Sequence, residues 1–210
     1  MPAARALRQG GFHVRAAGWL ILAAAGCVTS ASAGAGDASD YGAVRDRWTR
    51  SASEVHAFHT ALDVTATWLS WEVRRAQAAR LVEWYRLEGA AADAERARQR
   101  ADSAEAHVIH LAVRTHADDW GEFGRDHVLW RVTLVDDRGR ALEPSRVERV
   151  EVDALTQALY PYADEFSRSY RFRFPRAHAD GTPVVGADTR WVALRFAGPL
   201  GSVDLKWDLR

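Results

Sequence analysis

The densest set of side chains able to hold a metal or move a proton lies in the stretch 116–127. It carries His116, Asp118, Asp119, Glu122, Asp126 and His127, with Trp120 and Phe123 among them. Carboxylates and imidazoles together are ligands for Zn²⁺ or Ca²⁺. His116, Asp118, Asp119 and Glu122 are the set that a metal-dependent hydrolase or a metal-binding protein would use. The spacing matches no calcium-loop pattern, and Gly121 and Gly124 are turn residues, so a polar loop between strands accounts for the stretch. His56 and His59 sit three apart with no identifiable third ligand. His107 and His110 fall on opposite faces of a strand and cannot share a metal there. Neither Gly-x-Ser-x-Gly nor His-Glu-x-x-His occurs. The carboxylate pairs Glu148 with Glu151 and Asp204 with Asp208 lie on strand faces that read as wet. We therefore expect no catalytic residue, no bound metal and no cofactor.

Two further groups could make contacts rather than bonds. Trp120 and Phe123 lie in one connection, and Tyr160, Tyr162 and Phe166 in another. Aromatic side chains in loops are typical anchors for a partner or a glycan. The favoured reading is that they plug the open end of the sandwich.

The single cysteine is the most specific chemical feature. Cys27 ends an apolar run, Gly-Trp-Leu-Ile-Leu-Ala-Ala-Ala-Gly-Cys over 18–27, preceded by Arg5, Arg8 and Arg15 without an acidic residue. A basic start, a short apolar stretch and small residues before a cleavage point make a secretory signal. Ala24-Ala25-Gly26-Cys27 resembles the lipobox of bacterial lipoproteins, with Ala24 where leucine is commonest. The resemblance implies cleavage before Cys27 and acylation of its thiol and new amino terminus. Two or more acyl chains anchor a protein stably. It also implies transfer to the outer membrane, because Val28 and not Asp follows the cysteine. Ala31-Ser32-Ala33 offers an ordinary signal-peptidase site as the alternative, and an uncleaved anchor over 16–36 is a third reading.

Removing 26 residues leaves a chain with 25 basic and 28 acidic side chains, since the signal holds three of the 28 arginines and lysines. That balance argues against a nucleic-acid partner. With no second cysteine, there is neither a disulfide framework nor a thiolate metal site. Residues 28–39 are small and polar and read as a flexible tether.

The elements that would position these groups follow from hydrophobic period. Asp40 can cap a helix, and Tyr41, Val44, Trp48, Val55 and Phe58 mark one face of a helix over 41–59. Leu62, Val64, Ala66 and Trp68 alternate with polar residues, which predicts a strand over 61–69. Ser70 caps a helical insert over 71–105, with Ala78, Leu81, Val82 and Tyr85 as one stripe and Ala90, Ala94, Ala97, Ala101 and Ala104 as another. Gly89 leaves open whether it is one helix or a broken pair, and a protruding arm could oligomerise. From 107 to 210 the period is two, with runs at 109–113, 128–134, 146–152, 170–174, 192–196 and 203–209. Seven half-buried strands predict antiparallel sheets packed face to face, an immunoglobulin-like β-sandwich with the helical insert after its first strand. The expected function is non-enzymatic: an envelope lipoprotein that holds another envelope protein or a surface polymer.

Overall fold

The computed structural model describes residues 40–123 and 129–210. Cys27 and the segments expected to be signal and tether lie outside the described residues, as do Asp126 and His127. In chain order the elements are α1 (Tyr41–Arg47), β1 (Thr49–His56), β2 (His59–Trp68), α2 (Trp71–Trp84), α3 (Gly89–Glu105), β3 (His107–Arg114), a 3₁₀ turn (Asp118–Gly121), β4 (Arg131–Asp136), β5 (Ala141–Leu142), β6 (Arg146–Val150), α4 (Ala154–Leu159), β7 (Arg168–Phe174), β8 (Trp191–Gly198) and β9 (Gly201–Asp208). The strands form two antiparallel sheets. One has the order β1-β2-β3-β7-β6, the other β5-β4-β8-β9.

Between the sheets lies an apolar core. Leu62, Val64, Ala66, Ile109, Leu111, Tyr170, Phe172 and Phe174 from the five-stranded sheet meet Val132, Leu134, Val192, Leu194, Phe196, Leu205 and Trp207 from the other, around Trp130. A second core covers the opposite face of the five-stranded sheet. There Tyr41, Val44, Val73, Ala76, Leu159 and Tyr160 pack on Val108 and Ala112. The molecule therefore has three layers, and its central strand β3 is buried on both faces along nearly its whole length. The half-wet strand expected there is corrected. Period two separates the faces of a strand but does not reveal that helices cover the second one.

The first helix is shorter than expected. Asp40 caps α1 by accepting from the Gly42 N–H at 3.0 Å, but the helix ends at Arg47 and β1 takes over. Thr49 and Ser51 join β1 to β2 through hydroxyl contacts of 2.7 Å to Thr67 and 2.8 Å to Thr65. Such cross-strand hydroxyl pairs stabilise a sheet edge. The hairpin turns at Ala57 and Phe58, both with positive φ, where Asn-Gly is the usual signal. Val55 and Phe58, assigned to a buried helix face, are exposed.

The helical insert is a broken pair. Tyr85–Glu88 separates α2 from α3, with Arg86 and Gly89 in the left-handed region. Ala78 and Leu81 are buried as expected, while Tyr85 is exposed. The alanine stripe of α3 points outward: Ala90, Ala94, Ala97, Ala101 and Ala104 are exposed, and Ala92 and Gln99 are the buried positions. The reason is Arg74 of α2, which is 3% exposed. A buried guanidinium requires polar partners, and α3 turns Gln99 and Asp102 towards it, at 3.1 and 3.3 Å from Nη1.

The remaining strands match expectation within a few residues. To the seven expected, the described residues add β1 and β5. β6, whose valines are out of phase, lies at a sheet edge: Val147 packs on the inner core while Val150 faces the other way. The Asp136–Gly139 turn closes as the sequence suggests. Asp136 accepts from the Arg138 and Arg140 N–H groups and from Arg140 Nε. Burial alone would raise its pKa, but these bonds hold the carboxyl below the usual range. At the β1–β9 edge, Trp207 donates its Nε1–H to the Trp48 carbonyl at 2.7 Å. Gly201 lies there at φ +140°, a conformation that strains any residue with a Cβ.

Candidate functional site

Strands β3 and β7 carry the site on the face away from the sandwich core. Their register sets His110 opposite Arg171 and Val108 opposite Arg173. His110, Ser169, Arg171 and Arg173 share that face, because alternate residues of a strand point the same way. Over it pass α2 and α3, with α4 at the side.

His110 is fully buried and engaged on all sides. Its Nε2 lies 2.9 Å from Ser169 Oγ and its Nδ1 3.1 Å from the Tyr162 hydroxyl. Tyr160 stacks on the imidazole with centroids 3.8 Å apart. Tyr162 also donates to Thr67 Oγ1 at 2.8 Å. Burial, helped by the Arg171 charge, pushes the His110 pKa down to about 3 and keeps the ring neutral. Ser169 and His110 stand at the distance of a nucleophile and its base. The serine is 1% exposed, however, and donates to the Leu111 carbonyl. A base with so low a pKa withdraws little proton near neutrality. The network holds the helical layer to the sheet.

Beside this network a cavity of about 190 Å³ opens between α2, α3, α4 and the sheet. Arg74, Arg98, Arg171 and Arg173 line it, together with Asp102 and Tyr160. Arg98 is paired with Glu95 at 2.8 Å and Arg173 with Glu105 at 3.0 Å. Arg74 meets Asp102 through Nη1, but its Nε is buried without a hydrogen-bond partner. Burial pushes the Arg74 pKa below its ordinary value; Asp102 opposes that shift, and Arg171 and Arg173 add to it. The Arg171 side chain makes no ion pair or hydrogen bond among the described residues, and its Nε is likewise buried and unpartnered. Leaving a buried donor unsatisfied costs roughly 1–3 kcal/mol, more when it is charged.

The residues singled out by sequence lie elsewhere or play other parts. Phe123 is buried between the sheets, edge-on to Tyr170, Phe172 and Phe196. Trp120 is half-buried against the same core. Tyr160 and Tyr162 belong to the outer face, under the helices. The two loops thus do not converge into one aromatic contact surface: one pair plugs the sandwich and the other braces the helical layer. Among the metal candidates, Asp118 pairs with Arg168 at 3.0 Å, and Glu122 with Arg168 and Arg149. His116 stacks on His59 at 4.1 Å. These carboxylates face guanidiniums, and no set of three ligating side chains converges among the described residues.

Sequence reasoning missed the arginines. The available signal was Arg171 and Arg173 alternating with Phe172 and Phe174 on β7, and Arg74 among the apolar positions of α2.

No protein-family model matches the chain, and no curated protein is significantly similar to it. Over 80% of its length it is similar to the crystal structure of a novel protein of unknown function from Burkholderia pseudomallei K96243, covering 81% of that chain at 12% identity with a TM-score of 0.39.

Proposed function

We propose that this chain is a non-enzymatic binding protein of the cell envelope, an immunoglobulin-like sandwich held at the outer membrane by acyl chains on Cys27. The observation that carries the binding role is the arginine-lined cavity between the helical layer and the outer face of the five-stranded sheet. Its side chains offer hydrogen-bond donors and charge, the means of holding a molecule. The immunoglobulin-like reading is supported by strand order: β2-β3-β7-β6 over β4-β8-β9 corresponds to A-B-E-D over C-F-G, with β5 in the place of C′. β1, α2 and α3 are additions to that plan. The anchor reading is supported by the lipobox-like run ending at Cys27.

Expression of the full chain in a bacterium fed an alkyne-tagged fatty acid tests the anchor. The wild type should label and sediment with membranes, and Cys27→Ala should do neither. An unlabelled wild-type thiol would sink the anchored reading. Affinity capture from the same membranes, with Cys27→Ala as control, then identifies an envelope protein or surface polymer bound to the domain.

A further inference from the structure

We propose that the end of the molecule formed by the β1–β2 hairpin rests on a lipid bilayer and inserts Phe58 into its interface. This goes beyond the cavity described above and rests on the lipid anchor of the proposed function. Six large apolar side chains are exposed among the described residues: Trp71, Trp84 and Tyr85 on or just after α2, and Val55, Phe58 and Phe166. On α2, Trp71 and Trp84 each carry a guanidinium over the ring, Arg100 at 5.8 Å and Arg80 at 5.3 Å. The other set shares one end of the five-stranded sheet. β2 pairs Asp63 with Arg114 of β3, and β3 pairs Val113 with Arg168 of β7, so the hairpin turn and residue 166 leave the sheet in the same direction. Arg114 ties them together. It lies 3.6 Å from Asp63 and 2.6 Å from Asp164, and Asp164 accepts the Phe166 N–H at 3.1 Å.

The turn holds Phe58 out at a cost. Ala57 and Phe58 have φ of 48° and 68°, a region that residues with bulky side chains rarely adopt, and such strain concentrates where a segment has a task. Phe58 stands five residues beyond the last β2–β3 pair, roughly 17 Å of strand, and therefore projects further than Phe166. A bilayer fits this set better than a rigid partner does. The three side chains are separate and stand at different heights, whereas a protein partner needs a continuous apolar patch with a matching pocket. A lipid interface accepts single apolar side chains at whatever depth they reach. The tether brings that surface within range. Twelve residues, 28–39, separate Cys27 from Asp40, a reach of at most about 45 Å and longer than the whole of β2 at roughly 33 Å. Charge sets the lipid class. At this end Glu54, Asp119 and Glu165 form no ion pair among the described residues, so a zwitterionic surface suits it and an anionic one does not.

Both cores are built from residues 41–209, so the chain from Val28 keeps every residue of the fold. The test holds that chain on phosphatidylcholine vesicles through a hexahistidine in place of Cys27 and a nickel-chelating lipid. The chain from Val28 has no cysteine, so Phe58→Cys, Phe166→Cys and Ala97→Cys each give a unique site for an environment-sensitive fluorophore, the last on the exposed side of α3. Phosphatidylcholine brominated on its acyl chains should quench strongly at 58, more weakly at 166 and not at 97. Without nickel, Phe58→Ser should bind the vesicles about tenfold more weakly than the parent, the scale for one phenylalanine returned to water. Melting curves that match the parent's show that the variants are folded. No quenching at 58, equal quenching at 58 and 97, or equal vesicle binding by Phe58→Ser would overturn the assignment. The nickel lipid stands in for the acyl chains, so a Cys27 that takes up no fatty acid leaves these readings intact, and a failed quenching leaves the anchor standing.

Discussion

The two faces of the five-stranded sheet are made by the same strands and differ in kind. Facing the second sheet, β3 and β7 present Ile109, Leu111, Tyr170, Phe172 and Phe174, all at most 1% exposed. Facing the helices, the alternate positions are Val108, His110 and Ala112 on β3 and Ser169, Arg171 and Arg173 on β7. The first face is an apolar jigsaw that holds the sandwich together. The second is mixed, an apolar cluster under the helices furnished also with hydroxyls, an imidazole and guanidiniums. Polar groups cost free energy to bury, and a layer that exists only to bury sheet would be built without them. Both faces hold layers together, the first by apolar packing and the second by packing joined to hydrogen bonds around His110.

The largest effect tests the first half of that contrast. Trp130→Ala should cost about 3–5 kcal/mol in denaturant unfolding, the scale of a core aromatic cavity. A loss below about 0.5 kcal/mol would break the contrast at its apolar end. Next comes acid. In the folded chain the His110 pKa is pushed down to about 3, whereas an unfolded histidine titrates near 6.5. Below pH 6.5 the unfolded state therefore binds more protons, and stability falls as pH drops towards 3, by up to about 1.4 kcal/mol per unit. His110→Gln should remove about 2 kcal/mol of that dependence between pH 6.5 and 5, measured by unfolding across the range. An unchanged slope would mean the imidazole reaches water. Tyr162→Phe deletes the hydroxyl shared by His110 and Thr67 and should cost about 1 kcal/mol. The smallest effect sharpens the boundary of the helical layer: Ala97→Glu on the outer stripe of α3 should lie within about 0.5 kcal/mol and leave the sedimentation of the protein unchanged. Faster sedimentation of the wild type than of the variant would show that a second copy covers the stripe.

Much of the inner face was legible in sequence, because Tyr170, Phe172 and Phe174 alternate with polar residues and period two leaves little choice. What covers the other face was not. Arg171 and Arg173 read as solvated, since alternation assigns sides without saying what lies on them. The register of α3 was hidden for a related reason: its apolar residues are all alanine, so the buried side was chosen by the need of Arg74 for Gln99 and Asp102 and not by hydrophobic area. β1 was missed because its hairpin turns on Ala57 and Phe58 without a glycine, asparagine or proline, while Tyr41, Val44 and Trp48 set a helical period that Val55 and Phe58 continue. In the stretch 116–127 the partners of Asp118 and Glu122 were invisible in one dimension: Arg168 and Arg149 arrive beside those carboxylates.

The helix α3 passes into β3 through Ala106 alone, so one wall of the arginine cavity and part of its floor are a single uninterrupted run of chain. That end cannot swing without dragging the central strand, which is bonded on both sides. Any widening of the cavity must start at the other end of α3, where Tyr85–Glu88 joins it to α2. Strain placed on the helical pair would fall on the Tyr85–Glu88 turn before it reached the sandwich.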